Sequence, residues 1–559
     1  MTPPPIDSLD DLSLSELRRV LAVALSELER FRSEFSRLEG EVATQGDVIA
    51  ELKLTVAARD GKIVEQAEEI ARLKGLPPRP KFKGKPSGME AGTSKPLLGK
   101  KKGRKPRRGA KRDRLKVTAE VKLKALGVPA GSRFKGYEDV TVQDLLISVG
   151  VTLYRRERWE TPDGERIVAD LPRGIAGGFG PALRQFIAAA YFQGQVTSER
   201  LTALLIGMGL DISKRQVVRF LSQGLKDLVA EDQDVLKAGL ETAAWITVDD
   251  TSARHANQDE FTTQFGDDRF AVFRTGPTKS RRRFLYDLQC GREDFIIDEE
   301  ALAYMRRLRL PAPLLARLRA HPVKRFTGEA AFKAHLDALG FGFLKLSPDP
   351  VKVAVEGALW AAVKEQGLLD DTVIVSDGAG QFCVADHALC WVHAERLVYK
   401  LEPTNVAHRK AVELTRGLIW WFYADIKSFK LNPDPKRARM MRARFDRIFL
   451  KKTGYVLLDR QLRRLHRRKA ELLRVLERPQ IPLHTNGSEN DIRAVVTKRK
   501  ISGGTVSLAG KAARDTMLGL MKTCAKLKVS YYHFLGDRFG VQGSPSVPRL
   551  PDLVRLAAT

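Results

Sequence analysis

The chain has 559 residues and a formal net charge of +28, from 96 Lys+Arg against 68 Asp+Glu. This length allows several domains, and so large a basic excess indicates a polyanionic partner, most often nucleic acid. Four cysteines without a CxxC pair argue against a disulfide framework and favour a reducing cytosol, and the sequence shows neither a signal peptide nor an apolar run of membrane-spanning length.

A heptad repeat runs from residue 14 to residue 73. All nine a positions, from Leu14 to Ile70, are apolar, and so are six of the nine d positions. A sustained 3.5-residue period favours a second helix as partner, so the sequence predicts a coiled coil at 13–75 that makes the protein a homo-oligomer. The alternative is a long helix packed on its own domain.

Two segments of different composition follow the heptads. The first, 76–116, is rich in Pro, Gly, Lys and Arg, and its part from 79 to 116 holds 16 Lys+Arg against 2 acidic residues. We expect a disordered basic linker that contacts phosphates nonspecifically, with a solvated spacer as the alternative. The second, 117–179, has short alternating apolar runs around the turn TPDGE, which predict a small β-rich module.

A helical pattern begins after Gly180-Pro181. Three amphipathic stretches with glycine breaks predict a helix-turn-helix-like unit at 180–232. Its last helix would present Lys214, Arg215 and Arg219 to DNA. Three amphipathic helices that only form core are the alternative.

From Trp245 the pattern becomes α/β. Successive strands predict the first part of a core at 241–395, and the stretch 483–540 predicts its final helices, followed by a tail at 541–559. Between the two parts lies a long helical insertion, 396–482. Its segment from 436 to 478 is the second basic concentration of the chain, with 16 Lys+Arg against 4 acidic residues.

Three carboxylates stand where strands end or a helix begins. Asp249 ends the strand WITVDD, Asp377 ends the strand VIVSD, and Glu489 lies in the first turn of a helix that starts near Asn486. Carboxylates from separate elements can hold two divalent ions such as Mg²⁺, which prefers oxygen ligands and keeps positions open for substrate phosphate. The pattern therefore favours metal-dependent phosphoryl transfer.

Structural roles compete with this interpretation. Asn486 and Glu489 fit a capping box, and an aspartate after a strand is often only a turn residue. Asp250 leaves open which neighbour would bind metal. Arg493 and Lys498, which follow Glu489 on the same helix, favour a site that faces a polyanion.

The segments ITVDDT, VIVSDGAGQF, LCWVHAER and NGSENDIR…KRKISGGT resemble the insertion sequence 66 family of bacterial transposases. The resemblance extends from the heptads to about residue 540. It implies a DDE transposase with a ribonuclease-H-like core, in which Asp249, Asp377 and Glu489 bind two Mg²⁺ (or Mn²⁺) ions. Further positions match two family signatures: Cys390, Trp391 and His393 in one, and Asn486, Glu489, Asn490 and Arg493 in the other.

The chain departs from the family pattern in two places. Relatives show Asp-Glu-Thr at the first acid, whereas this chain has Asp249-Asp250-Thr251. Many relatives carry a small cysteine-bearing module after the basic linker, but residues 81–180 contain no cysteine. The module at 117–179 must therefore fold without zinc or be of another kind.

Two cysteines and two histidines lie within eleven residues: Cys383, His387, Cys390 and His393. They could bind zinc, but alternation along a strand would send the ligands to opposite faces. A role for His393 beside Asp377, as an active-site helper or a phosphate contact, is the preferred interpretation, and a buried structural histidine is the alternative.

These observations predict a multidomain protein with an N-terminal α-helical coiled coil, a helix-turn-helix-like unit and an α/β ribonuclease-H-like core with a helical insertion. It would cut and join double-stranded DNA at element ends and target, with Arg493 and Lys498 on the terminal phosphates. The resemblance also implies small accessory transposition proteins, and we expect a bacterial cytoplasmic, nucleoid-associated protein with no membrane contact. The alternatives are an inactive coiled-coil DNA-binding protein and a metal-dependent nuclease without strand transfer.

Overall fold

The computed structural model describes residues 117–559 except 146, 176 and 559, and residues 13–15, 18, 19, 21–23, 25–38, 40, 41 and 45 of the N-terminal stretch. It divides into two units, Met1–Asp144 and Leu145–Thr559. The second half of the predicted coiled coil, 46–75, and the predicted basic linker, 76–116, lie outside the described residues.

In the first unit, the described residues between 14 and 45 are helical. Their a-position side chains Leu14, Leu21, Leu28 and Phe35 are each more than half exposed. An apolar stripe of this kind is left to water unless another helix covers it. Residues 117–144 form no helix or strand.

The second unit contains the following helices and strands. In chain order they are β1 Arg158–Glu160, β2 Arg166–Val168, α1 Pro181–Ala188, α2 Ser198–Gly207, α3 Lys214–Ser222, α4 Lys226–Thr242, β3 Trp245–His255, β4 Gln258–Gly266, β5 Ala271–Gly276, α5 Arg281–Leu288, β6 Asp294–Ile296, α6 Glu299–Arg307, α7 Ala312–Ala320, β7 Arg325–Thr327, α8 Glu329–Ala338, α9 Pro350–Glu365, β8 Val373–Ser376, β9 Asp386–Leu389, α10 Trp391–Tyr399, α11 Val406–Leu431, α12 Pro435–Phe449, α13 Val456–His466, α14 Lys469–Leu472, α15 Asn486–Ser502, α16 Leu508–Lys526, α17 Tyr531–Phe539 and α18 Leu550–Leu556.

The region predicted as a small β-rich module contains one hairpin in the structure. Strands β1 and β2 pair antiparallel around the turn TPDG, with Arg158 opposite Val168. The described residues from 145 to 157 form no strand, and their apolar side chains, among them Leu153, are exposed. The alternating apolar residues of this stretch therefore do not belong to a sheet that would bury their side chains on one face.

The helices α1 to α3 pack through their apolar faces, with Leu201, Leu205, Val217 and Phe220 buried. Side-chain caps define where two of them start, because an Ncap hydroxyl accepts a bond from an otherwise unpaired backbone N–H. Thr197 accepts from the N–H of Arg200 before α2, and Ser213 accepts from the N–H of Gln216 before α3.

A five-stranded mixed sheet forms the centre of the second unit, in the order β5-β4-β3-β8-β9. Strands β3, β4 and β5 are antiparallel neighbours, and β8 and β9 run parallel to β3. All four residues of β8 are buried, as expected for a short β-branched run inside a sheet covered on both faces. Strands β8 and β9 end together at one edge of the sheet, beyond which β3 continues beside β4.

Helices from distant parts of the chain cover this sheet. Helix α15 packs on β3 and β4, α16 packs on β5, and α9 packs on α5 and α6. The α9 contact is close, since a Cβ at Gly357 would lie 2.6 Å from Met305 Cγ. The insertion helices α11 to α14 share a second hydrophobic core with α10 and with β8 and β9, which includes Trp391 and Phe445.

None of the helices that the structure describes combines the length and the apolar character needed to cross a bilayer.

Candidate active site

Asp249 and Asp377 lie on neighbouring parallel strands at the same edge of the sheet. The last parallel pair joins Thr247 of β3 to Val375 of β8, and each aspartate lies two residues further along the chain. Asp377 follows β8 as predicted, but Asp249 does not end its strand, because β3 continues beside β4 to His255. Since side chains at i and i+2 share a face, the two carboxylates emerge side by side where β8 ends. The register alone therefore brings the first two acids together.

The electrostatics of Asp249 reflect this proximity. The pKa of Asp249 is raised to about 6, chiefly by burial. The backbone N–H of Asp250, 2.8 Å from Asp249 Oδ1, opposes the shift, and the negative charges of Asp377 and Asp250 add to it. A half-buried carboxylate close to other negative charges favours the binding of a cation or of a proton.

A tight turn holds Asp377. Its Oδ1 accepts a hydrogen bond of 2.8 Å from the N–H of Ala379. Gly378 between them has φ +96°, a conformation that L side chains rarely adopt, and a Cβ there would lie 2.7 Å from Leu389 Cδ2. The glycine is therefore required at this point, and the turn aims the carboxylate away from the strand.

Glu489 does not serve the capping box that its spacing from Asn486 allows. Helix α15 begins at Asn486 itself, the Ncap is Thr485, and no side-chain cap bond forms. The first turn of α15 instead lies on β3, where a Cβ at Gly487 would lie 3.9 Å from Thr247 Oγ1. This contact brings Glu489 to the same edge as Asp249.

His393 lies between the three carboxylates. It is in the first turn of α10, and its Nε2 is 3.9 Å from Glu489 Oε1. The pKa of His393 is raised by the adjacent Cys390 thiol and by the charge of Asp377, against burial, which lowers it. Its own charge in turn acts on Asp249. The imidazole thus interacts with all three acids.

The neighbouring Asp250 is occupied by protein groups. Its carboxylate is paired with the ammonium of Lys279 and accepts a 2.8 Å hydrogen bond from Gln381 Nε2. Asp249 accepts only the amide bond among the hydrogen bonds found for its side chain. Of the two adjacent aspartates, Asp249 is therefore the one whose carboxylate remains open to a ligand.

The predicted phosphate contacts Arg493 and Lys498 differ in their environments. Arg493 is exposed, with Nη1 3.1 Å from Asn490 Oδ1. Lys498 is only 1 % exposed and does not face solvent, contrary to the expectation that it contacts phosphate. Its Nζ donates to the carbonyl of Tyr191 at 2.7 Å and lies 3.2 Å from the ring centroid of that tyrosine.

The burial of Lys498 has a packing cause. Helix α15 is covered on this side by the π-helical turn Ala189–Gln193 that extends α1. Desolvation lowers the pKa of Lys498 to about 7. Its role is therefore to join α15 to the helical unit.

The three basic residues predicted for the helix-turn-helix-like unit lie exposed on α3. Lys214 is paired with Glu199 at 2.5 Å. Arg215 and Arg219 extend from the same helix, whose apolar face is buried against α1 and α2. They lie far along the chain from the carboxylates and take no part in the contacts of that site.

The four residues considered for zinc separate into two pairs. Cys390 accompanies His393, whereas Cys383 and His387 meet Glu471 of the insertion. Among the described residues, this second group is the one set of three metal-ligand atoms that lie within 4.8 Å of one another. The carboxylates of Asp249, Asp377 and Glu489 are spaced more widely than that.

A guanidinium already supplies the positive charge at the second group. Arg468 is paired with Glu471, lies 3.4 Å from Cys383 Sγ and donates to the carbonyl of Gly378 at 3.2 Å. His387 contacts Glu471 Oε1 through Nδ1 at 3.1 Å and Ser376 Oγ through Nε2 at 2.8 Å. We call Ser376, His387, Arg468 and Glu471 the insertion clamp, because it ties the insertion to both sides of Asp377.

No sequence pattern predicts the insertion clamp. His387 and Glu471 are 84 residues apart, and neither belongs to a repeated or spaced pattern that links them. The available signal was the Arg468–Glu471 pair at i, i+3, which on a basic helix looks like an ordinary surface ion pair.

Known proteins provide an independent comparison. The profile of the family described as "Transposase IS66 family" matches residues 372–513, a range that contains Asp377, His393 and Glu489 but not Asp249. The chain is also similar to the uncharacterized protein y4jO of Sinorhizobium fredii, at 50% identity over 314 residues that cover 56% of this chain and 97% of that protein. With these matches and the resemblance of its segments, the chain belongs to the IS66 family of transposases.

Proposed function

We propose that this protein is a DDE transposase, which cuts and joins the ends of an insertion sequence through Asp249, Asp377 and Glu489. The observation that carries the proposal is the meeting of these three carboxylates around His393 at one sheet edge. The mixed sheet order β5-β4-β3-β8-β9, with acids on the central strand and after its parallel neighbour, supports the assignment of a ribonuclease-H-like core.

The residues of this site fit two Mg²⁺ or Mn²⁺ ions. Carboxylate oxygens are hard ligands of the kind that Mg²⁺ prefers, and a divalent cation would offset both the burial and the neighbouring charges that raise the pKa of Asp249. When bound, the ions would lower the pKa of the attacking oxygen and stabilise the charge on the leaving one.

The side chains around the acids orient the reaction. His393, whose Nε2 is 3.9 Å from Glu489 Oε1 and 3.4 Å from Arg396 Nη1, would favour the charged form of that carboxylate, and Lys279 with Gln381 holds Asp250 aside. Exposed Arg493, one helical turn after Glu489, would bind a phosphate of the DNA end.

Two phosphoryl transfers follow on this proposal. In the first, a water oxygen attacks a phosphodiester at the element end, and the bond from phosphorus to the 3′ oxygen breaks, which frees a 3′-hydroxyl. In the second, that hydroxyl attacks a phosphodiester of the target, and the target 3′ oxygen leaves. Neither step needs a covalent link between protein and DNA.

The remaining parts of the chain would bring the DNA to the site. Exposed Arg215 and Arg219 on α3 and the basic helices of the insertion would contact double-stranded DNA, whose phosphates attract such clusters. Pairing of subunits through the N-terminal helices suits an element with two ends. Small accessory transposition proteins are further partners on this proposal.

The test uses the full chain with a DNA fragment that carries the inverted repeat flanking its gene. We expect nicking and strand joining in Mg²⁺ or Mn²⁺, and neither product with Asp377→Asn. Nicks without joining would instead indicate a nuclease, and tight binding without any cut under either metal would indicate a DNA-binding protein that is not an enzyme.

A further inference from the structure

Three side chains that can bind a metal ion meet where the insertion touches the central sheet. Cys383 lies in the loop between β8 and β9, His387 lies on β9, and Glu471 lies on α14 of the insertion. One ligand atom of each residue lies within 4.8 Å of the other two. A thiolate, an imidazole and a carboxylate are ligands that zinc accepts together, whereas Mg²⁺ prefers oxygen alone.

The distances between the ligand atoms fit a single tetrahedral ion. Cys383 Sγ is 3.9 Å from His387 Nδ1, and the same Nδ1 is 3.1 Å from Glu471 Oε1. Zinc with ordinary bond lengths to sulfur, nitrogen and oxygen places such ligand atoms about 3.3 to 3.6 Å apart. Small rotations of the side chains would therefore bring all three ligand atoms to bonding distance from one ion.

The second nitrogen of the imidazole is held as it is in metal-binding histidines. His387 Nε2 lies 2.8 Å from Ser376 Oγ, which also accepts a 3.0 Å hydrogen bond from the N–H of Gly378. A histidine that binds metal commonly donates its other ring N–H to a polar group, which fixes the tautomer and the orientation of the ring. With Nε2 donating to Ser376, the lone pair of Nδ1 is left for an ion between Cys383 and Glu471.

The surroundings of Cys383 favour the thiolate, which is the form of cysteine that binds metal. Burial raises the pKa of this thiol, but the hydrogen bond and charge of His387 and the charge of Arg468 outweigh burial and lower the pKa. Cys383 and Glu471 are partly exposed, whereas His387 is buried. An ion can therefore enter from the side of the thiol and the carboxylate.

Arg468 shows where this group accepts positive charge. Its Nη2 lies 2.8 Å from Glu471 Oε1 and 3.4 Å from Cys383 Sγ, so the guanidinium contacts two of the three ligand atoms. A metal ion bound to the same atoms would compete with the guanidinium for them. The Arg468 side chain is 30 % exposed, so it can turn towards solvent when an ion takes its place.

We propose that Cys383, His387 and Glu471 form a zinc site that joins the insertion to the central sheet, in competition with Arg468. A water molecule would complete the four ligands of the ion. None of the three carboxylates of the candidate active site belongs to this group. The zinc site therefore does not rest on the proposed function, and its ion would be held independently of the Mg²⁺ ions of that function.

The experiment titrates the full chain, freed of metal and of any histidine tag, with Co²⁺, which replaces Zn²⁺ and absorbs light when a thiolate binds it. Excess Mg²⁺ is present throughout to fill sites made of oxygen ligands. We expect intense thiolate-to-cobalt absorption that Zn²⁺ abolishes. Cys383→Ser should lose this absorption, and the matched control Cys290→Ser should keep it. No such absorption in wild type, or equal absorption in the two serine variants, would overturn the proposal.

A change at Arg468 separates a metal site from a cluster of ion pairs. Because the guanidinium competes for the ligand atoms, Arg468→Met should tighten Co²⁺ binding about tenfold, as expected from the loss of one competing charged hydrogen bond. The neighbouring exposed Arg467→Met removes the same charge and should leave the affinity unchanged. Weaker binding in Arg468→Met than in Arg467→Met would contradict the proposal.

A measurement on the wild-type chain makes the test independent of how the variants fold. Alkylation of each cysteine by iodoacetamide is followed by mass spectrometry with and without Zn²⁺. Zn²⁺ should slow alkylation of Cys383 about tenfold or more, because a metal-bound sulfur is no longer a free thiolate, and should not change the rate at Cys290. An equal rate at Cys383 under both conditions would refute the zinc site. Asp377→Asn should keep the protection by Zn²⁺ whether or not the wild type cuts DNA, which distinguishes the zinc site from the proposed function.

Discussion

Glu489 could act locally as a helix cap or belong to a site formed by tertiary contacts, and the structure distinguishes these two roles. Because α15 starts at Asn486 with Thr485 as Ncap, the glutamate does not close a capping box, and its carboxylate faces His393 instead. We predict that Glu489→Gln loses metal-dependent cleavage by about a hundredfold or more, as expected when one charged group of an electrostatic site is neutralised.

The measurement is single-turnover cleavage, with thermal unfolding and DNA affinity as controls. Both controls should match wild type, because glutamine has nearly the same shape as glutamate and Glu489 does not cap the helix. Retention of most of the activity would show that Glu489 is not part of the chemistry.

Lys498 provides a prediction about stability and pH. In the folded protein its pKa is lowered to about 7 by burial, whereas in the unfolded chain it titrates near the usual 10.5. Between these values the unfolded chain binds more protons, so Lys498 makes the free energy of unfolding rise with pH in this window. Lys498→Met should remove that rise.

Denaturant unfolding at pH 7 and at pH 10 measures the effect. The exposed Lys500→Met on the same helix is the matched control and should keep the pH dependence of wild type. If the free energy of unfolding depended on pH in the same way in Lys498→Met and Lys500→Met, the burial of an uncharged Lys498 would be contradicted.

At the scale of elements, the insertion clamp joins the insertion to the central sheet, although the residues involved are far apart in the sequence. Arg468 beside α14 binds Gly378 O and Glu471, and His387 of β9 binds Glu471 and Ser376. We predict that Arg468→Met lowers the cleavage rate about tenfold or more with little change in DNA affinity, because the turn that holds Asp377 loses its support. The neighbouring exposed Arg467→Met removes the same charge and should keep the rate.

The clamp also predicts a response to acid. Although burial opposes it, the bonds from His387 and Arg468 lower the pKa of Glu471 to about 2. This group therefore stabilises the fold above its unfolded pKa of 4.5 and loses that contribution as the pH falls towards 2. In Arg468→Met the loss should occur at higher pH, which acid unfolding followed by circular dichroism would detect; an unchanged acid transition would speak against the clamp.

At the scale of the whole molecule, the N-terminal helix predicts an assembly. Its apolar a positions Leu14, Leu21, Leu28 and Phe35 are exposed in the single chain, although a 3.5-residue repeat covers such a stripe with another helix. We predict that deletion of residues 1–75 converts an oligomer into a monomer in analytical ultracentrifugation. A full-length chain that sediments as a monomer would contradict this.

Much of the candidate site was predictable from short segments. The β-branched runs before Asp249 and Asp377 predict buried strands, and the parallel register that pairs Thr247 with Val375 places the two acids at the same level, although β3 continues past Asp249. The match of family segments adds Glu489. The helical pattern after residue 180 and the helical insertion also follow from periodicity, which is a property of neighbouring residues.

Features that depend on contacts between distant segments could not be predicted in this way. Lys498 belongs to a basic stretch that suggests solvent, yet the turn after α1 covers it. Apolar alternation at 145–153 suggests strands, yet the described residues of this stretch form none.

The sequence by itself determined the basic character of this protein, its candidate acids Asp249, Asp377 and Glu489, and its resemblance to transposases. The tertiary structure decided which of the chemically similar residues meet. It paired Asp250 with Lys279 and left Asp249 open, buried Lys498, and joined His387 to Glu471 of the insertion. The reason is physical: periodicity and propensity act over a few residues, whereas burial and side-chain partners are set by packing between elements far apart in the chain.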